Sequence, residues 1–264
     1  MKPETASLRV DTHFHVFEAG QGTANARYIP RYTAAIGAWR QQASAVGITH
    51  GVLIQPSFLG TDNRLMLAAV ALHPEQLRAV AVVSPDVSGA ELDALHGAGV
   101  RGVRLNFAGL VHDMTAWRGA HALWEALLQR DWHVQVHADT GRLGEVLPHL
   151  PGELRVVVDH MGRPLSASPS DPTLALLRRW HPDRLHVKLS GAYRQQGPDP
   201  VALARALHDE LGPQALLWGS DWPCTNHEDC ADYRALLGQL DAWLPAGTHA
   251  TVLRDNPLRL YWKD

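Results

Sequence analysis

The sequence predicts an α/β fold, a single (β/α)8 TIM-like barrel with one domain over residues 1–264 and an active site at the C-terminal strand ends. Three observations predict it. Eight short β-branched runs recur at intervals of about 30 residues. Amphipathic stretches of helical period lie between them, so the strands are expected to be parallel with right-handed crossovers. After the first run, "THFHVFEAG" carries histidines where a doubly wound dinucleotide fold would carry a glycine-rich turn.

The first strand is expected over 8–16. Its alternation puts His13 and His15 on one face, because residues two apart in a strand share a side. "AAIGAWRQQASAVG" follows as a helix, with Ile36, Trp39, Ala43 and Val46 on one stripe and Gly47 as its stop. Strand two, 49–55, runs into "QPSFLGTDN", which offers Gln55, Ser57, Thr61, Asp62 and Asn63. Strand three, 77–83, offers little beyond Ser84. Ser88 and Glu91 then stand in capping-box spacing. Strand four, 102–106, presents Arg104 and Asn106 on one face, and "HALWEALLQR" stacks Leu123, Leu127 and Leu128. Strand five, 132–138, carries Gln135 and His137 on one face, and strand six, 155–160, ends in Asp159 and His160. "DPTLALLRRW" and "DPVALARALHDELGP" each open with an Asp N-cap and proline at the first helical position. Strand seven, 185–190, leads into "KLSGAYR" with Lys188, Ser190, Tyr193 and Arg194, and strand eight, 215–221, delivers Asp221 in "GSDWP".

Hydrophobic residues make up 45% of the chain and charged residues 19%, with a net charge of −3. That gives no basic footprint for nucleic acid and no polybasic membrane signal. Two cysteines are too few for a disulfide framework. No apolar run reaches the roughly 18 residues of a membrane span, and "MKPETASLRV" lacks an apolar leader core. A cytoplasmic protein with a small-molecule partner is expected, and a homo-oligomer is compatible with the sequence. Of the 16 histidines, His50, His73, His96, His112, His121, His149, His181, His208 and His249 fall outside the strand ends and are expected to be solvated. His133 and His186 start strands five and seven, the wrong end for catalysis, and are expected to be structural.

"DTHFHVF", "RGVRLNF", "DHMGRP", "KLSGAYR", "GSDWP" and "DNPLRLYW", in this order, resemble the amidohydrolase superfamily (amidohydrolase 2 type). More narrowly they resemble its lactone-hydrolysing branch, typified by 2-pyrone-4,6-dicarboxylate hydrolase and the sugar-lactone and muconolactone hydrolases. The resemblance implies catalytic roles for His13, His15, His160 and Asp221, with Asp221 acting on the attacking water. It implies substrate contacts from Arg104 and Arg194, joined by Ser57, Asn106 and Tyr28 or Tyr32. No strand-four Lys or Glu is present to bridge two metals, so His13, His15, His137 and Asp221 form a candidate set for one divalent ion, zinc or manganese. A metal-independent reaction, with the histidines polarising the carbonyl as donors, uses the same residues.

Opening a lactone requires a nucleophilic water, a polarised carbonyl and a stabilised oxyanion. A carboxylate near cations serves as base, and guanidinium forks fix carboxylates bidentately. The expected activity is therefore hydrolysis of a carboxylic ester bond in a small carboxylated lactone. A single-metal non-oxidative decarboxylase is the alternative. A metal-dependent nuclease lacks its strand-four Glu here, and a non-enzymatic binding barrel does not explain reactive side chains at each expected position.

Overall fold

The computed structural model describes residues 8–263. Residues 1–7, which hold most of the stretch read as lacking a leader, and residue 264 lie outside the described residues. Eight parallel strands form one sheet in sequence order: β1 Val10–Phe14, β2 His50–Ile54, β3 Leu77–Ala81, β4 Val100–Asn106, β5 His133–His137, β6 Arg155–Val158, β7 Leu185–Leu189 and β8 Leu216–Trp218. The first and last strands meet through Thr12 Oγ1, which donates to Trp218 O at 2.7 Å, and Asp221 N, which donates to His13 O at 2.8 Å. Gly219 makes this approach possible, since a Cβ there would stand 2.5 Å from the His13 Cβ. The predicted (β/α)8 barrel is therefore the fold observed.

The helices are α1 Ile36–Ser44, α2 Arg64–Leu72, α3 Gly89–Gly97, α4 His121–Gln129, α5 Pro172–Arg179, α6 Pro200–Leu211, α7 Tyr233–Trp243 and α8 Asn256–Tyr261. The expected caps form: Ser88, Asp171 and Asp199 accept from the backbone N–H groups of Glu91, Thr173 and Ala202. Val10, Val52, Ile54, Val80, Val157 and Leu217 fill the barrel interior, and Leu260 and Tyr261 of α8 pack against them. The larger core lies between the sheet and the helices.

β1 departs from simple alternation. Its register against β2 shifts between Asp11 and Phe14, so three residues of β1 span two of β2. The extra residue turns Asp11 towards the helices while His13 and His15 face the barrel mouth. Asp11 is fully buried and accepts from His13 N, Ser220 N, Ser220 Oγ (2.6 Å), Trp39 Nε1 (3.0 Å) and Tyr233 OH (2.8 Å). One carboxylate thus ties β1, α1, α7 and the segment after β8 together.

At the opposite end of the barrel, His133 and His186 are buried, as expected of structural residues. Burial first, then the cations Arg155, Arg259 and Lys263, push the His186 pKa down to about 4. The unfolded chain takes that proton near pH 6.5. Between pH 6.5 and 4 the unfolded state therefore binds more protons, and stability falls as pH is lowered. The melting temperature is expected to drop between pH 7 and pH 5, His186 contributing on the order of 2 kcal/mol. His186→Gln should flatten that drop in a thermal scan across pH. An unaltered slope would remove His186 as a cause.

Candidate active site

His13, on β1, and His15, just past its end, bring Nε2 atoms within 3.3 Å of each other. Asp221 Oδ1 lies 3.5 Å from the first and 3.4 Å from the second. His15 Nδ1 donates to Ile54 O at 2.7 Å, and His13 Nδ1 faces Asp159 Oδ1 at 3.2 Å. With both protons on Nδ1, two nitrogen lone pairs and a carboxylate oxygen converge on one point. Burial holds the His13 pKa well below its ordinary value, so that ring does not relieve the convergence as an imidazolium.

A cation does. Two ligand atoms about 2.1 Å from one zinc ion at a tetrahedral angle stand about 3.4 Å apart, the separation of these three atoms. Asp159 behind His13 completes a carboxylate–histidine pair of the kind that orients metal ligands. The ligand atoms of His13, His160 and Asp221 also lie within 4.8 Å of one another, as do those of His137, Asp159 and His160. Among the described residues, none is a hydrogen-bond partner of the buried His137 Nε2. The residues present fit a single divalent ion.

Asp159 and Lys188 were legible in sequence only as strand-end residues; the structure places both inside the barrel. Asp159 Oδ2 accepts from Arg104 Nε (3.3 Å), Arg104 Nη2 (3.2 Å) and Gln135 Nε2 (3.1 Å). Lys188 Nζ donates to Gln135 Oε1 at 2.7 Å and stands 3.4 Å from His13 Nδ1 and 3.7 Å from Asp159 Oδ1. Burial brings the Lys188 pKa down to about 8. Burial opposes ionisation of Asp159, but His13, Lys188 and Arg104 hold its carboxyl well below the usual range. A lone buried carboxylate would cost several kcal/mol; here the surrounding donors compensate it.

Asp221 is buried and ionised for a similar reason. Burial again opposes the charge, and the Arg194 guanidinium keeps its pKa well below normal. Oδ2 accepts from Tyr193 OH at 2.6 Å and Arg194 Nε at 2.8 Å. His160 Nε2 lies 3.8 Å from the same oxygen, and Ser190 Oγ is 3.0 Å from His160 Nδ1. Burial lowers the His160 pKa to about 4, so the ring is neutral at pH 7. Both residues hold left-handed backbone, φ 50° at His160 and 57° at Asp221, at a cost of about 1–2 kcal/mol each.

A cavity of about 290 Å³ opens over these groups, near the lower end of the size range for small-molecule sites. His15, His137, His160, Asp221, Arg104, Arg194, Ser57 and Asn106 line it, as do Tyr28 and Arg27. Tyr32 is not among the lining residues; its hydroxyl donates to Glu228 Oε1 at 2.9 Å. Sequence reasoning did not find Arg27, which comes from the long loop after β1. Neither did it foresee that His112, expected to be solvated, is buried with Nε2 accepting from Asp139 N at 3.0 Å. Two larger hollows of about 660 and 630 Å³ lie beside α2 and are lined by no histidine, so the chemistry belongs to the smaller cavity.

Comparison with known proteins identifies the family. The family model described as Amidohydrolase matches residues 10–262. A 2-pyrone-4,6-dicarboxylate hydrolase from Comamonas testosteroni is 34% identical over 97% of this chain and 90% of its own length. A 4-sulfomuconolactone hydrolase from Hydrogenophaga intermedia is 30% identical, over 95% and 88%. The crystal structure of a protein assigned as a 2-pyrone-4,6-dicarboxylic acid hydrolase from Pseudomonas putida superposes with a TM-score of 0.85 at 38% identity, covering 96% of this chain and 97% of that one.

Proposed function

The chain belongs to the amidohydrolase family, and from that premise we propose that it opens the ring of a small carboxylated lactone by hydrolysis, acting on a carboxylic ester bond. The observation that carries the reading is a buried Asp221 set against His13, His15 and His160 at the floor of a cavity that three arginines line. A compound resembling 2-pyrone-4,6-dicarboxylate is the favoured substrate, because similar proteins carry that name.

Asp221 Oδ1 accepts the proton of the attacking water while Tyr193 and Arg194 hold Oδ2 in place. Ser190 Oγ lies 3.0 Å from His160 Nδ1 and can donate to it; the tautomer with the proton on Nε2 then polarises the carbonyl and receives the developing oxyanion. Asp159 holds the His13 ring, and Arg104 and Lys188 hold Asp159. Arg104 and Arg194 keep the cavity positive for a carboxylate, with Ser57 and Asn106 as hydroxyl and amide contacts. His13, His15 and Asp221, with His137 beside them, are the residues that would hold a divalent ion, zinc or manganese. Such an ion, when bound, supplies Lewis acidity to the carbonyl and lowers the pKa of water towards about 7.

Among the described residues no helix is long and apolar enough to cross a membrane. Both cysteines, buried Cys224 and exposed Cys230, are unpaired, which suits a reducing cytoplasm. The reading is tested by turnover on acidic and neutral lactones with product analysis: ring opening without carbon dioxide is expected, and carbon dioxide release would favour the decarboxylase alternative.

A further inference from the structure

We propose that a second cavity, at the opposite end of the barrel from the mouth, binds a tetrahedral dianion of the phosphate class. It measures about 260 Å³, just below the usual range for organic ligands, so it suits a small ion or a phosphate monoester. Its walls carry Arg155 from the start of β6, His186 from β7, Arg259 from α8 and Lys263 just past α8. None of these lines the mouth cavity, so the two sites are separate and the proposal stands apart from the lactone-hydrolase reading.

His186 is the buried element of this wall. It is 8% exposed, and its Nδ1 has no hydrogen-bond partner among the described residues. Beyond burial itself, Arg155, Arg259 and Lys263 all disfavour its protonation, so three positive charges act on one buried ring. Each cation is held in place. Arg155 is ion-paired with Asp131, and Lys263 Nζ lies 3.2 Å from the other oxygen of that carboxylate, so two cations share one counter-charge. Arg259 Nη2 donates to Gln214 Oε1 at 3.2 Å and to Asn256 Oδ1 at 3.3 Å, both neutral. Asn256 is fully buried, and its Nδ2 donates to Pro213 O and Leu216 O at 2.8 and 2.7 Å. The guanidinium is thus aimed by an anchored residue while its charge stays uncompensated. In a chain of net charge −3, such a convergence is unfavourable until an anion answers it. A neutral imidazole donates from one nitrogen, beside guanidinium and ammonium donors. Donors from four separate segments match the corners of a tetrahedral oxyanion better than the two oxygens of one planar carboxylate. Asp183 also lines the cavity and opposes an anion, but its side chain is 90% exposed and water screens it.

The test is calorimetry at constant ionic strength with inorganic phosphate and, separately, glycerol 3-phosphate. Wild type is compared with Arg259→Gln, Arg259→Lys, His186→Leu and Asp183→Asn. One phosphate per chain is expected. Arg259→Gln and His186→Leu should each raise its Kd about 10-fold or more, with partial recovery in Arg259→Lys. Asp183→Asn should tighten binding roughly threefold. Phosphate should also raise the melting temperature of wild type more than that of Arg259→Gln, because only the folded chain holds the site. A much tighter monoester assigns the site to a phosphorylated metabolite, and equal affinities assign it to free phosphate. No saturable phosphate binding to wild type overturns the proposal. So does an affinity left unchanged by both Arg259→Gln and Asp183→Asn, which would place the ion at the arginines of the mouth.

Discussion

Asp221→Asn is expected to lower kcat on an acidic lactone by about 10³-fold while the melting temperature moves by only a few degrees. The asparagine oxygen can still accept from Tyr193 and Arg194, which hold the aspartate at 2.6 and 2.8 Å. Its shape and the left-handed backbone at φ 57° are also preserved, since Asn tolerates that region as well as Asp does. What is lost is the negative charge that accepts the water's proton. The other side of the residue would also change: an amide NH2 in place of Oδ1 would face the two Nε2 lone pairs now 3.4–3.5 Å away. Steady-state kinetics with circular dichroism on the same preparation separates chemistry from folding. A variant within tenfold of wild type would remove Asp221 as the base.

The second large effect concerns the cation that the converging lone pairs call for. Protein purified without chelator is expected to hold about one divalent ion per chain. His15→Ala should weaken its retention by at least about 100-fold, since loss of even an outer partner of a metal ligand costs roughly 10- to 100-fold. His15 is a sharp probe because its Nδ1 is anchored on Ile54 O at 2.7 Å, so its Nε2 has a single direction to serve. Elemental analysis reads the stoichiometry directly, and activity is followed through chelation and re-addition of zinc or manganese. Metal-free wild type with full activity would recast His13, His15 and His160 as direct donors to the carbonyl.

Much of this was legible in the chain because period-two spacing survives folding. Arg104 with Asn106 and Gln135 with His137 needed only the alternation of a strand to be placed on one face. The Asp-Pro helix starts at Asp171 and Asp199 were equally local, each being a cap and a fixed φ within two residues. Three kinds of feature were not legible. The β1 bulge depends on pairing with β2, and it is what sends Asp11 outward while His13 stays inward. The Asp159–Lys188–Gln135 network joins three strands, so no spacing in the sequence announces it. Arg27 reaches the cavity from a loop, where neither period applies. Helix α2 was also missed: "RLMLAAVAL" is apolar almost all round, and its N-cap residue Asn63 makes no side-chain cap. Likewise His112, read as solvated, is buried: it lies in the loop after β4, stacked on Phe107 and accepting from Asp139 N.

One measurement bears most directly on the account: incubation of the protein with 2-pyrone-4,6-dicarboxylate in ¹⁸O-labelled water, with mass analysis of the product and gas. A ring-opened acid carrying one ¹⁸O in the new carboxylate is expected, with no carbon dioxide released. Carbon dioxide, or no consumption of this or any other acidic lactone, would contradict it.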